Sequence, residues 1–213
     1  MDPLRIVPAR EARHEIVVVN SRFIATAAPA MTLDQAKALA ARVRKEFPDA
    51  THHVPAFVIG HGNSTITHCQ DDGEPSGTAG RPALAVLQGS GLGDIAVIVT
   101  RYFGGTRLGT GGLVRAYGDA VRGVLAVLPR ARKLATHTIG LVFPYAGFER
   151  VKRIIAAHHG QVITKKFGAE VSLTAQVAVD EFEALQNALR DASKGPLQVE
   201  ILETNPGTFL PLI

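Results

Sequence analysis

The apolar and polar positions change rhythm along the chain, and that rhythm predicts strands and helices in mixed order. Ile16–Val19 and Phe23–Ala28 are short β-prone runs, and Asn20-Ser21 between them reads as a hairpin turn. A helix follows, with Thr32 as N-cap and Gln35 three residues on. Ala36, Leu39, Ala40, Val43 and Phe47 recur on one of its faces, and Pro48 stops it. Lys37, Arg42, Arg44 and Lys45 occupy the other face and read as a solvated surface.

Val54–Ile59 is the next strand, and a polar, acidic loop separates it from a short helix that Pro82 opens at its first position and that runs to Leu87. Asp94–Phe103 carries Ile95, Val97, Ile98 and Val99 almost without interruption, the pattern of a strand buried on both faces. Beyond a glycine-rich loop the helical period returns from Gly112 through Leu113, Tyr117, Ala120, Val121, Val124, Leu125 and Leu128, with Arg115, Asp119 and Arg122 facing away. Pro129, with Arg130, Arg132 and Lys133, marks a boundary, giving an N-terminal domain over 1–130 and a C-terminal domain over 134–213.

The second part has its own order. Leu134–Phe143 is a strand, Tyr145–His158 a helix that ends at Gly160, and Val162–Phe167 a strand closed by a Gly168-Ala169 turn. Val171, Leu173, Ala175, Val177 and Val179 then alternate, Asp180 caps a helix with Glu183 at its third position, and Leu197, Val199 and Ile201 alternate in a last strand. The order is βαββαβ, the ferredoxin-like split unit, so the fold class is α+β.

Composition narrows the setting. The 213 residues are 46% hydrophobic and 20% charged, enough apolar side chain for a core in each part. The formal charge is +4, and it is diffuse: residues 1–70 carry eight Lys/Arg against six Asp/Glu, 71–118 four against four, and 119–213 eleven against nine. A nucleic-acid footprint therefore has to be assembled by folding rather than by a basic tail. The single Cys69 cannot form an internal disulfide, and the first thirteen residues are charged, with no apolar core of a signal segment. A cytoplasmic location follows as the expectation, with no membrane partner and no cofactor.

Two segments stand out chemically: Asp71-Asp72-Gly73-Glu74-Pro75-Ser76-Gly77-Thr78-Ala79-Gly80-Arg81-Pro82, and Thr100-Arg101-Tyr102-Phe103-Gly104-Gly105-Thr106-Arg107-Leu108-Gly109-Thr110-Gly111-Gly112-Leu113-Val114-Arg115-Ala116-Tyr117-Gly118. With Pro48-Asp49-Ala50-Thr51-His52-His53, these strings resemble the signature of the YigZ/IMPACT family, in its bacterial two-domain type. The resemblance implies an N-terminal domain like the second domain of a small-subunit ribosomal protein and domain IV of elongation factor G. It implies a ferredoxin-like C-terminal domain like domain V of that factor. Eukaryotic relatives in the family are associated with relieving kinase-mediated repression of translation initiation by binding a partner protein.

The residues themselves leave several chemistries open. Gly104 to Thr110 has the glycine spacing of a phosphate-binding loop, but the lysine that should follow Gly109 is missing, so nucleotide hydrolysis lacks its β/γ-phosphate contact. A helix starting near Gly112, flanked by Arg107 and Arg115, still suits a phosphate or carboxylate. Asp71, Asp72 and Glu74 fit a metal site, a partner contact, or internal pairing with Arg81, Arg101 or Arg107. His52 and His53 point to opposite faces of a strand, and His158-His159 closes a helix, so both pairs read as structural. Cys69 beside His68 lacks an orienting third group, and Ser76 lacks a nucleophile-elbow context.

The expected binding residues are accordingly Asp71, Asp72, Glu74, Ser76, Arg81, Arg101, Tyr102, Gly104, Gly105, Arg107, Gly109, Gly112 and Arg115. Arg150, Lys152, Arg153, Lys165 and Lys166 form a secondary basic surface. Three functions remain: a translation-associated binding protein contacting RNA, ribosome or a translation-control protein; an enzyme using the glycine-rich loop to hold a small phosphorylated or carboxylated substrate; and a pure protein-interaction module.

Overall fold

The computed structural model describes residues 5–62, 65–193 and 197–211. The chain divides into two compact units, one of the described residues up to Arg132 with the strand end from Phe209, the other of those in 133–208. In the first, β1 (Ile6–Pro8), β2 (Ala12–Val18), β3 (Ser21–Pro29), α1 (Leu33–Glu46), β4 (His52–Ile59), β5 (Ile66–Cys69), α2 (Gly80–Gly89), β6 (Ile95–Tyr102) and α3 (Gly109–Val127) follow in order. Five strands form an antiparallel sheet in the order β2-β3-β6-β4-β5.

The continuous apolar run of β6 has a direct cause, because this central strand is covered on both faces. Ile95, Val97 and Val99 pack with Leu87 of α2 and Leu113, Tyr117, Val121 and Val124 of α3. Ala96 and Ile98 point the other way, toward Ala36, Leu39 and Val43 of α1. Each fully buried Leu, Val or Ile contributes on the order of 1.5–3 kcal/mol, so packing rather than intrinsic propensity holds these helices.

Four local expectations shift. The hairpin between β2 and β3 turns at Val19 and Asn20, both left-handed at φ 45° and 66°, rather than at Asn20-Ser21. Two-residue hairpins need that mirror-image turn to match strand twist, and Ser21 is thereby free to start β3 as a buried residue. Helix α1 begins as expected, with the Thr32 hydroxyl accepting from the Gln35 N–H at 3.2 Å. Helix α2 begins at Gly80, two residues before Pro82, and α3 at Gly109, three before Gly112. The short strand β5 lies in what reads as loop, because its exposed residues carry no apolar period.

The second unit contains most of β7 (Arg130–Phe143), then α4 (Phe148–Ala157), β8 (Gln161–Phe167), β9 (Val171–Ala178), α5 (Phe182–Ala192) and β10 (Gln198–Pro211). Strand β9 pairs antiparallel with both β7 and β8, and β10 pairs with β7. Ile139, Leu141 and Phe143 of β7 and Val171, Leu173, Ala175 and Val177 of β9 share a core with Val151 and Ile155 of α4 and Leu185 and Leu189 of α5. Asp180 does not cap α5. It lies in a single tight turn, Val179–Glu181, that carries the chain into Phe182. Both units are therefore mixed α+β built on antiparallel sheets, and among the described residues no helix is long and apolar enough to cross a membrane.

Candidate functional site

Three strand ends converge at one edge of the first sheet: register pairs Arg22 with Tyr102 and His52 with Arg101. The two unusual loops leave from this edge. Alternation along β6 puts Arg101 on the same face as Val97 and Val99, so its side chain points under α3 instead of into water. The guanidinium is buried at 4% exposure and lies between the rings of Phe23, at 5.3 Å, and Phe103, at 5.5 Å. Its Nη1 donates to Glu74 Oε1 at 2.6 Å, and Nη2 reaches Ser21 Oγ at 3.4 Å.

Glu74 is buried too, and a second donor satisfies the same oxygen, the Tyr117 hydroxyl at 2.7 Å from mid-helix α3. Burial first, and then this bond to a carboxylate, pushes the Tyr117 hydroxyl far above its ordinary range. His52 Nε2 stands 3.8 Å from the same oxygen, while its Nδ1 bonds the carbonyl of Asp72 at 2.8 Å. A buried ion pair carrying these extra hydrogen bonds is the form in which two charges survive desolvation. Its chemical character is that of a lock between loop, strand and helix.

The other two acids of the loop are also engaged. Burial alone would raise Asp71, but its carboxylate accepts from the backbone N–H groups of Gly77 at 2.8 Å, Gly80 at 2.8 Å and Ala79 at 3.1 Å. Those bonds, with Arg81 nearby, hold it below its ordinary value and cap the start of α2. Asp72 is left-handed at φ 48°, which aims its carboxylate at the His53 N–H, 2.6 Å, and at Arg44, 2.8 Å. Burial, then the Arg44 cation, lowers the pKa of His53, whose Nε2 meets the Phe47 carbonyl at 3.0 Å.

Among the described residues, the glycine-rich segment is fastened at its root. Phe103 N–H donates to Thr51 Oγ1 at 3.1 Å and Gly104 N–H to Ser21 Oγ at 3.2 Å. A Cβ at Gly104 would come within 2.2 Å of the Asn20 carbonyl, so only glycine fits against the hairpin turn. Tyr102 donates to Asp49 at 3.1 Å beneath the Arg22 guanidinium, 5.3 Å from its ring. Gly105 and Gly109 have φ of 83° and 70° and turn the chain into α3. Arg107 in this loop and Arg115 in the second turn of α3 are exposed, and neither has a hydrogen-bond or ion-pair partner among the described residues.

The expected binding residues thus separate into two groups. Asp71, Asp72, Glu74 and Arg101 are all engaged within the protein, Glu74 and Arg101 with each other, Asp71 with the backbone at the start of α2 and Asp72 with Arg44 and the His53 N–H, while Tyr102 and Gly104 fasten the outer side. Ser76, Arg81, Gly105, Arg107, Gly109 and Arg115 are exposed, and Gly112 is half-buried. Among the described residues no group of three or more His, Cys, Asp or Glu side chains is arranged to hold a metal ion. His68 stacks on Phe57 at 5.2 Å while burial raises the neighbouring Cys69 thiol, so the two do not form a nucleophile and its base.

The secondary basic surface is likewise divided. Lys152 and Lys165 line one depression with Phe148, whereas Lys166 alternates to the opposite face of β8 beside Ser172. Arg150 is turned to the Ala192 carbonyl at 2.8 Å, and Arg153 to that of Glu149 at 3.3 Å.

Several participants carry no distinguishing mark in the sequence. Tyr117 has the period of a core residue and acts as the donor that fixes Glu74. Arg44 reads as one of four cations on a solvated helix face, yet it crosses to Asp72. Ser21 reads as a turn residue and serves two distant partners. The remaining signal is weak: buried acids in a short loop require donors somewhere in the chain.

Comparison with known proteins bears on the whole chain. The Impact N-terminal domain model matches residues 19–125, and a domain of unknown function, DUF1949, matches 141–195. The chain is 37% identical to the IMPACT family member YigZ of Escherichia coli, covering 93% of this chain and 98% of that protein. It is 35% identical to an IMPACT family member of Haemophilus influenzae, covering 93% and 97%. A crystal structure described only as a hypothetical protein superposes with a TM-score of 0.61 at 37% identity, covering 93% of this chain and 97% of that one.

Proposed function

The chain belongs to the IMPACT family, and from that premise we propose that it is a translation-associated binding and regulatory protein, and that the exposed loop edge of its first unit is the docking face. The observation that carries this is the division of charge at the site. All three acids of the 71–74 loop are held by protein donors, while Arg107 and Arg115 stand in solvent on either side of the start of α3. A face with its carboxylates spoken for and its cations open suits a phosphate-rich partner, with the unpaired N–H groups of the helix start adding to the attraction.

The enzyme reading gains nothing from the same geometry. Asp71 is engaged by three N–H bonds, Asp72 is bonded to Arg44 and the His53 N–H, and Glu74 is buried beneath Arg101, so none is presented to a substrate as a base. At the level of fold, the βαββαβ order of the second unit supports a ferredoxin-like assignment, and with it the likeness to domain V of elongation factor G that the family implies. The likeness of the first unit to domain IV of that factor is proposed on the same basis, as are the boundaries 1–130 and 134–213. RNA of the ribosome is the partner this charge distribution favours over a translation-control protein.

The test is sedimentation of the tagged protein with ribosomes across a salt series, with and without nuclease. Arg107→Glu with Arg115→Glu should abolish co-sedimentation at low salt while leaving the melting temperature near that of the parent. The parent should lose affinity steeply as salt rises. Unaltered binding by the double variant removes this face, and capture that survives nuclease replaces RNA with a protein partner.

A further inference from the structure

The second unit carries an aromatic surface whose composition fits neither a core nor an ordinary solvated edge. Strand β8 lies at the end of its sheet, and among the described residues it pairs with β9 alone, leaving its other backbone side open to them. Edge strands are normally blunted with charge, and Lys165 and Lys166 serve that purpose. Yet the same strand exposes Phe167 at 54% and Ile163 at 51%, which invites association instead. Phe167 is not isolated. Tyr145, 51% exposed, stacks beside it at 6.0 Å and 22°, with its hydroxyl donated to the Gly168 carbonyl at 2.8 Å. Phe148 meets Phe167 edge-on at 5.4 Å and 66° from below. The result is a braced, half-exposed pair of rings whose orientation is fixed before any partner arrives.

Charge surrounds these rings on one side. Strand alternation puts Lys165 on the same face as Phe167, and Lys152, one helical turn after Phe148, lines the same depression as Lys165. Neither lysine has an ion-pair partner among the described residues. Lys166 lies on the opposite face of β8 and Arg150 is turned to the Ala192 carbonyl, so the cations beside the rings are Lys152 and Lys165. An apolar protein partner would leave those ammonium groups buried without counter-charge, whereas a chain of phosphates would neutralise them and could lay its bases on the rings.

We propose that Tyr145 and Phe167, flanked by Lys152 and Lys165, form a stacking platform for single-stranded RNA, binding without base-specific readout. Rings supply affinity through the π-face every base offers, and the lysines track the backbone. The platform is built entirely from residues of the second unit. It rests on the translation-associated reading only for the choice of RNA over DNA, and it stands or falls on its own measurement.

The experiment is fluorescence anisotropy of a labelled 12-nucleotide polyuridine RNA with the full chain, repeated with a 12-base-pair duplex. The single strand should bind in a salt-dependent manner and the duplex at least tenfold more weakly, since paired bases offer no free face. Phe167→Leu, which keeps apolar packing on Phe148 but removes the ring, should weaken binding about tenfold, and Phe167→Trp should restore it. Lys152→Glu with Lys165→Glu should weaken it and flatten its salt dependence. Arg107→Glu with Arg115→Glu should bind the oligonucleotide like the parent, whatever that variant does to ribosome sedimentation. Equal binding of duplex, parental affinity in Phe167→Leu, or no binding by the parent would each overturn the platform, even if ribosome docking through the first unit holds. Phe167→Leu releasing a nuclease-resistant partner while leaving RNA affinity intact would assign the surface to protein instead.

Discussion

Replacing Glu74 with glutamine removes one charge and almost no volume, which makes it a sharp probe of the lock at the loop edge. The side chain is 3% exposed and that of Arg101 5%, and they meet at 2.6 Å. In Glu74→Gln the amide oxygen still accepts from Tyr117 and Arg101, so hydrogen-bond number is nearly kept. The guanidinium, however, stays buried without a counter-charge. Breaking a buried pair in this way costs on the order of 3–5 kcal/mol, and the retained acceptor places this variant near the lower end. For a unit of this size about 3 kcal/mol lowers the melting temperature by roughly 12 °C. Arg101→Met leaves the opposite charge stranded and should cost a similar amount, whereas the double variant removes both and should cost clearly less than the sum. A coupling of about 3 kcal/mol between the two positions follows. Urea unfolding followed by circular dichroism measures the totals, and amide exchange in α3 and β6 reports whether the loss is confined to the first unit. A Glu74→Gln protein within about 1 kcal/mol of the parent, or two additive single variants, would show that water enters the site and that the pair is not a lock.

Two further outcomes follow from neighbouring residues. His53 has a depressed pKa because burial, then Arg44, disfavours its cation, so the unfolded chain takes up a proton more readily than the folded one. Stability should therefore be complete above the ordinary histidine value and decline as pH falls from 7 toward 5. His53→Gln, whose amide still donates to Phe47, should flatten that decline in thermal melts, and an unchanged pH profile would refute the assignment. Val19 is exposed and held at φ 45°, a region that strains a β-branched residue. Val19→Asn should therefore stabilise the protein by about 1 kcal/mol, seen as a melting temperature a few degrees higher. A lower melting temperature would mean that the Val19 side chain makes packing contacts in solution.

The pattern of the chain was sufficient for most of its elements, since strong periods depend on burial and burial is written into side-chain type. The run from Ile95 to Val99 announced a strand covered twice, and Thr32 with Gln35 announced the start of α1. The alternation from Val171 to Val177 announced a strand with one core face. The two unusual segments were equally legible as the place where backbone and charge behave differently, because glycine and clustered acids stand out without any partner in view.

Tertiary structure alone decided what those residues do. Asp71, Asp72 and Glu74 have the same appearance in sequence, yet one caps α2, one holds β4 to α1, and one is sealed under Arg101 and Tyr117. Their donors lie up to 43 residues away, and only strand register and helix packing bring them into reach. Arg101, Arg107 and Arg115 were alike as cations until the parity of one strand buried the first. The aromatic platform of the second unit has the same origin, because Phe167 at the end of β8 meets Tyr145 and Phe148 only after α4 and the turn behind it bring the strand back to the start of the helix. Short-range chemistry writes the elements into the sequence. Long-range contact determines which charges face each other and which face water, and that is a property of the folded chain.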